Sequence, residues 1–214
     1  MKKAAPKHEF INRIIKYYKY DSYLEIGVQR RSNTHDHIQT SLKVAVDPDP
    51  NAEADHIMGS DEYFESYNKG RQFDLIFVDG LHHADQVIKD IKNSLMILNE
   101  GGSIVVDDCM PHNELMQKIP RDETPKKGNG PGRLWTGDVW KAIAWLRAER
   151  SDLSFLGVKL HCGVGLLRRE RSELLSFDKA LDALTFKDYK NHEKELLNLI
   201  DYEEFLNRFP TADF

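Results

Sequence analysis

Acidic side chains recur directly after short apolar runs in this chain. Leu24-Glu25-Ile26-Gly27, Val44-Ala45-Val46-Asp47, Gly59-Ser60-Asp61, Phe77-Val78-Asp79-Gly80 and Val105-Val106-Asp107-Asp108 all show the arrangement. If the runs are strands of a parallel sheet, these residues gather at the carboxyl rim, where open α/β sheets bind ligands. A glycine at position 27 lets a ligand approach the backbone, and a carboxylate at Asp47 accepts two hydrogen bonds from a ribose diol. The pair fits an adenosine-type nucleoside. It does not fit a dinucleotide, because Val28-Gln29-Arg30-Arg31-Ser32 lacks the further glycines that cradle a pyrophosphate. The plainer alternative is a strand-ending glycine and a solvated acid.

Asp79, Asp107 and Asp108 make the second constellation. Three carboxylates converging on one rim repel each other unless a cation lies between them. Hard oxygen donors favour Mg²⁺, with Ca²⁺ or Mn²⁺ as alternatives. The competing reading has Asp107 capping a turn and Asp108 facing water. His82 and His83 follow the fourth run, where an imidazole titrating near neutrality suits proton abstraction, or merely opens a helix. Zinc is disfavoured, since no His or Cys spacing completes a tetrahedral set.

The elements that must carry these residues follow from periodicity. Short β-branched runs alternate with segments of helical period, the pattern of a parallel sheet covered by helices. Phe10, Ile11, Ile14, Ile15 and Tyr18 predict an opening amphipathic helix. Strands are expected at 23–26, 43–46, 56–58, 73–78 and 103–106, with a helix carrying Val87, Ile88, Ile91, Leu95 and Leu98 before the last. Gly101-Gly102 falls where a helix stop belongs. From Cys109 to Thr136 four prolines (111, 120, 125, 131) and three glycines (128, 130, 132) break the rhythm, and the segment reads as a lid over the rim. A helix over 137–150, a strand pair at 153–159 and 164–168, and a polar helical tail from Phe177 complete the chain. Trp135 and Trp140 suit either an acceptor wall or the core. The organisation expected is one domain over 1–170 and a helical extension over 171–214, the latter packing on the core or on a second copy as a homodimer.

Composition narrows the class. Thirty-five acids against thirty Lys and Arg leave a net charge of -5, which argues against a broad nucleic-acid footprint. The apolar runs are too short to span a bilayer, and Asn12, Arg13 and Lys16 interrupt any signal-peptide core. Two cysteines cannot build a disulfide framework, so a reducing cytoplasm is expected.

With these motifs placed, the sequence resembles the class I S-adenosylmethionine-dependent methyltransferases. It is most similar to the small catechol O-methyltransferase-like group and the bacterial sugar O-methyltransferases. The resemblance runs from about Tyr23 to Arg168 and rests on Tyr23–Gly27, Val44–Asp47, Phe73–Gly80 and Gly101–Asp108 in that order. It implies a Rossmann-like, doubly wound seven-stranded sheet, mostly parallel with an antiparallel last strand. Glu25 and Gly27 would line the methionine end of S-adenosyl-L-methionine, Asp47 its ribose, and Ser60 and Asp61 its adenine. Asp79 would border the cofactor and, with Asp107 and Asp108, hold Mg²⁺. His82 takes the position of a general base in some members. The expected reaction is metal-assisted methylation of a small hydroxylated acceptor, a sugar or catechol-like diol. A metal-independent enzyme and a non-catalytic binding protein on the same fold are the rivals. Gln29-Arg30-Arg31 departs from the small residues usual after the first motif.

Overall fold

The computed structural model describes residues 5–119, 134–180 and 183–211. Seven strands form one sheet in the order β2-β1-β3-β4-β6-β5-β7. They are β1 (Ser22–Ile26), β2 (Leu42–Val46), β3 (Phe73–Val78), β4 (Leu98–Val106), β5 (Ser154–Lys159), β6 (Val164–Arg168) and β7 (Leu199–Asp201). Only β6 runs against the rest: it pairs antiparallel with both β4 and β5, while β5 and β7 are parallel. The fold is the expected Rossmann-like, mostly parallel sheet.

Alternation along the strands separates two cores, because successive side chains point to opposite faces. Leu24, Ile26, Ile76, Val78, Ile104 and Val106 face α3 (Ala84–Met96), α4 (Val139–Glu149) and α5 (Phe186–Leu196). Tyr23, Leu75, Phe77 and Val105 face α1 (Lys7–Tyr18) and α6 (Tyr202–Arg208). The short α2 (Ser60–Glu62) sits at the rim. Register aligns the strand ends: Ile26 pairs with Val46 and with Val78, and Val78 with Val106. The next residues, Gly27, Asp47, Asp79 and Asp107, therefore form a row across four neighbouring strands. That row builds the site.

Three local expectations differ from the structure. Residues 56–58 form no full strand: one parallel bridge joins His56 to Val46, Met58 N–H reaches the Asp47 carbonyl, and just upstream the Asp55 carboxylate takes the Ala45 N–H and ends the pairing. The helix on 84–96 ends before Leu98, and Gly101-Gly102 lies inside β4 beside a register shift rather than at a helix stop. The tail is not wholly helical, since β7 adds an edge strand to β5 through the Leu199, Ile200 and Asp201 pairs. The antiparallel strand is thus the sixth in the chain. Among the described residues no helix is long and apolar enough to cross a membrane.

Candidate functional site

A cavity of about 1160 Å³ opens at the carboxyl rim. It exceeds the roughly 300–1,000 Å³ of a single small-molecule site, leaving room for two ligands side by side. Glu25, Gly27, Asp47, Ser60, Asp61, Asp79, His82 and Asp108 all line it; Asp107 and His83 do not. A smaller hollow of about 540 Å³ between α1 and α6 contains none of the strand-end acids.

On the β1–β2 side the structure holds the carboxylates by short local bonds. Glu25 lies two residues after Tyr23 on the same strand face, and Tyr23 Oη donates to its Oε2 at 2.9 Å. His35 Nδ1 is 3.1 Å from the same oxygen. Both partners are buried, and burial raises the Glu25 pKa although the two hydrogen bonds pull it back. His35 has no sequence signal: it opens a single 3₁₀ turn, His35–His37, and only the fold brings it to Glu25. Asp47 accepts from the Gln29 N–H and the Asp49 N–H, each at 2.8 Å, so it ties the loop after β1 to the end of β2. Each oxygen keeps a second lone pair for a ligand hydroxyl. Arg31 turns away to Asp36 and Asp55, and neither Arg30 nor Arg31 lines the cavity.

Gly27 has a reason beyond ligand approach. Its φ is +87°, and a Cβ there would stand 2.2 Å from the Asp79 carbonyl oxygen. The first turn is therefore wedged against the end of β3, and Asp79 is held by that contact. Across the cavity, Gln86 Nε2 binds Ser60 Oγ at 3.2 Å, Asp61 Oδ1 at 3.0 Å and Asp90 Oδ1 at 3.1 Å. The Gln86 and Lys89 bonds lower the Asp61 pKa.

Asp90 is buried beneath this network, with Oδ2 unpartnered, and burial pushes its pKa to about 6. The unfolded chain ionises it near the ordinary value of about 3.9, so the penalty is absent below pH 4 and complete above pH 6. Asp90→Asn should stabilise the fold by about 1–3 kcal/mol at pH 8 and by little at pH 4. Urea melts at both pH values measure this, and an equal effect at each would refute it.

The β3–β4 side carries the chemistry. His82 Nε2 is 3.2 Å from Asp79 Oδ1, and Nδ1 is 3.3 Å from Asp108 Oδ2 and 3.2 Å from the Trp135 carbonyl. Burial lowers the His82 pKa, but the Asp79 bond and the Asp108 and Asp79 charges outweigh it and leave the value raised. Trp135 stacks on the ring at 5.2 Å, while Gly137 passes so close to the His82 carbonyl that no Cβ fits. Trp140 is core instead, its Nε1 donating to Gln117 Oε1 at 2.6 Å. Asp108 adopts a left-handed φ of +55°, a strained conformation typical of functional positions. Burial, then Asp79, raises its pKa, and burial pushes the neighbouring Cys162 thiol up to about 12.

Three of these side chains could hold a metal: ligand atoms of Asp79, His82 and Asp108 lie within 4.8 Å of one another. Asp107 does not join them. It is buried, and its Oδ2 is bonded to Lys7 Nζ, which also lies 3.4 Å from Asp79 Oδ2. The expected three-aspartate set is thus rearranged, with His82 inside it and Asp107 behind it. Sequence reasoning missed Lys7. Half of the expected lid, 120–133, lies outside the described residues; between its described ends, Thr136 N–H donates to the Met116 carbonyl at 2.9 Å.

Residues 28–109 match the model of a methyltransferase domain. No curated protein is significantly similar to this sequence. Among solved structures, the fold is similar to the O-methyltransferase TomG of Streptomyces achromogenes, which acts in tomaymycin synthesis and was solved with S-adenosylmethionine. That match has a TM-score of 0.55 and 16% identity, covering 78% of this chain and 81% of the other. A candidate O-methyltransferase from Klebsiella pneumoniae gives 0.51 and 17%, covering 78% and 81%. A candidate caffeoyl-CoA O-methyltransferase from Staphylococcus aureus gives 0.50 and 16%, covering 75% and 81%. Over residues 28–109 the chain is thus similar to a methyltransferase domain, and its fold is the one these solved O-methyltransferases share.

Proposed function

We propose that this protein methylates a hydroxyl of a small acceptor with S-adenosylmethionine as donor. One observation carries the reading: a single cavity joins the Glu25–Gly27–Asp47 half to the Asp79–His82–Asp108 half. The first half suits a nucleoside with a charged amino-acid tail, by the carboxylates of Glu25 and Asp47. The second suits deprotonation of an oxygen. The solved O-methyltransferases of like fold, one of them with S-adenosylmethionine bound, support the same donor.

When bound, S-adenosylmethionine supplies an electrophilic methyl group on a sulfonium. The chain's own residues do the rest. The Trp135 carbonyl and the Asp79 carboxylate can only accept, so the protonated ring donates from both nitrogens; the neutral ring keeps its hydrogen on Nδ1, and Nε2 is then the atom that takes a proton. The acceptor hydroxyl gives its proton to His82 Nε2 as its oxygen bonds to the methyl carbon and the sulfur–carbon bond breaks. Asp79 and Asp108 flank the imidazolium that results and stabilise it. The cavity walls supply alignment of oxygen, carbon and sulfur, which is where most of the acceleration in such a transfer arises.

Magnesium assistance is the second reading, favoured by the ligand atoms of Asp79, His82 and Asp108 within 4.8 Å. These residues would hold the ion, and it would lower the pKa of an acceptor hydroxyl. His82 would then be a ligand and not the base. The acceptor is proposed to be a sugar or catechol-like hydroxyl compound.

Cofactor binding tests the first half directly. Asp47→Ala should weaken S-adenosylmethionine by roughly 10- to 150-fold in calorimetric titration, the loss of a charged hydrogen bond worth roughly 1.5–3 kcal/mol. Asp47→Asn, which can keep one of the two loop bonds, should lose less. Unchanged affinity in a folded Asp47→Ala protein would remove the ribose assignment.

A further inference from the structure

Lys7 is the first residue of α1, directly after Pro6. A lysine at the positive end of a helix is electrostatically disfavoured, so its place there is not explained by the helix itself. The docking of α1 is set elsewhere, by Phe10, Ile11, Ile14 and Ile15 buried against the sheet face that carries Tyr23 and Phe77. That docking delivers the ammonium to the strand-end acids, bonded to Asp107 Oδ2 and 3.4 Å from Asp79 Oδ2. Asp107 Oδ1 is buried without a partner, so Lys7 is the one cation that Asp107 meets among the described residues. Burial pulls the Lys7 pKa down, yet Asp79 and Asp108 hold it above its ordinary value.

We propose that Lys7 is the resident cation of these carboxylates, and that its ammonium and a divalent ion exclude each other from the site. The argument is one of occupancy and charge. Both Asp79 oxygens are engaged, Oδ2 by Lys7 and Oδ1 by His82. A dication on Asp79, His82 and Asp108 would share a carboxylate with the ammonium, two like charges in a half-buried place where screening is weak. The ion enters only when Lys7 leaves. Two of the ammonium's three N–H groups go to Asp79 and Asp107, and Lys7 also lines the cavity. On the methyl-transfer reading above, the third N–H is available to the acceptor oxygen. A single donor of this kind serves a lone hydroxyl and does not require the vicinal pair that a chelating metal would select.

The test is a Mn²⁺ titration of the full chain, followed by the electron paramagnetic resonance signal of the free ion. The unmutated protein should show no saturable binding at concentrations where Lys7→Met binds one ion, a gain of about tenfold or more in affinity. Lys7→Arg, which keeps the charge, should exclude the ion as the unmutated chain does. Adding Asp79→Asn to Lys7→Met should abolish the gained site. Equal Mn²⁺ affinity with and without the lysine would overturn the proposal, and so would a folded Lys7→Met protein that gains nothing. If Lys7→Met does not fold, the unmutated chain decides: saturable binding that Asp79→Asn removes refutes exclusion, and its absence there and in Lys7→Arg supports it. Thermal melts and S-adenosylmethionine titrations of the same samples report separately on fold and cofactor. Failure to bind S-adenosylmethionine would sink the proposed function and leave the ion result standing.

Discussion

A His82→Ala variant is expected to lose roughly 10²–10⁴-fold in methyl-transfer rate, the usual contribution of a positioned general base. Its affinity for S-adenosylmethionine should stay within about twofold, because the contacts proposed for the cofactor lie on the β1–β2 side. The size of the effect follows from position: His112 and His161 also line the cavity, but each has its Nε2 bonded to a backbone carbonyl, of His161 and Ala5 respectively. His83 sits one residue on, but it does not line the cavity, and its ring meets the edge of Trp135 at 6.1 Å. His82→Gln should fail as badly, since an amide can bond Asp79 and Asp108 but cannot take up a proton. Formation of S-adenosylhomocysteine with a catechol or sugar-alcohol acceptor, measured in the presence of a chelator, checks both variants. A rate within threefold of the unmutated enzyme's would assign the proton transfer to another group.

Gly27→Ala carries the second large effect, and its cause is steric. The added methyl would stand 2.2 Å from the Asp79 carbonyl oxygen and 2.4 Å from Gly80 Cα. Both are backbone atoms, so no side-chain rotation relieves the clash. The φ of +87° adds a conformational cost of about 1–3 kcal/mol for any L side chain. The ends of β1 and β3 must separate, which breaks the Asp79 N–H bond to the Ile26 carbonyl, now 2.8 Å, and shifts Asp79 under His82. Expected outcomes are a stability loss of about 2–4 kcal/mol in urea denaturation and loss of detectable cofactor binding. Wild-type values for both would show that the turn yields more easily than its packing indicates.

Much of the site was legible because strand ends are a local property. Apolar alternation locates β1, β2, β3 and β4, and parallel register then requires the next residues to stand in a row. Glu25, Gly27, Asp47, Asp79 and Asp108 reach one cavity for that reason. The exceptions are instructive. Residues 56–58 have the composition of a strand, but they meet β2 through a single bridge, because the Asp55 side chain takes the Ala45 N–H and ends the pairing there. Asp107 has the right position in the chain, yet it is buried toward Lys7 while its neighbour Asp108, twisted to a positive φ, lines the cavity. Adjacent carboxylates look alike on paper; backbone conformation separates them.

The positions of β1 to β4, the glycine turn after β1 and the acids that follow the strands are thus properties of the sequence itself, since each depends on residues within one strand and its turn. How those acids are neutralised was decided only in three dimensions. Lys7 lies 72 residues from Asp79 and 100 from Asp107, and a lysine opening a helix reads as a solvated charge. Trp135, whose carbonyl fixes the proton on His82, lies 53 residues away from it. β7 joins the sheet only because residues 199–201 come to lie along the open edge of β5. Hydrophobic burial of α1 and α4 places these groups, and burial responds to the whole fold. Charge pairing then follows from where the helices dock, which no local pattern encodes.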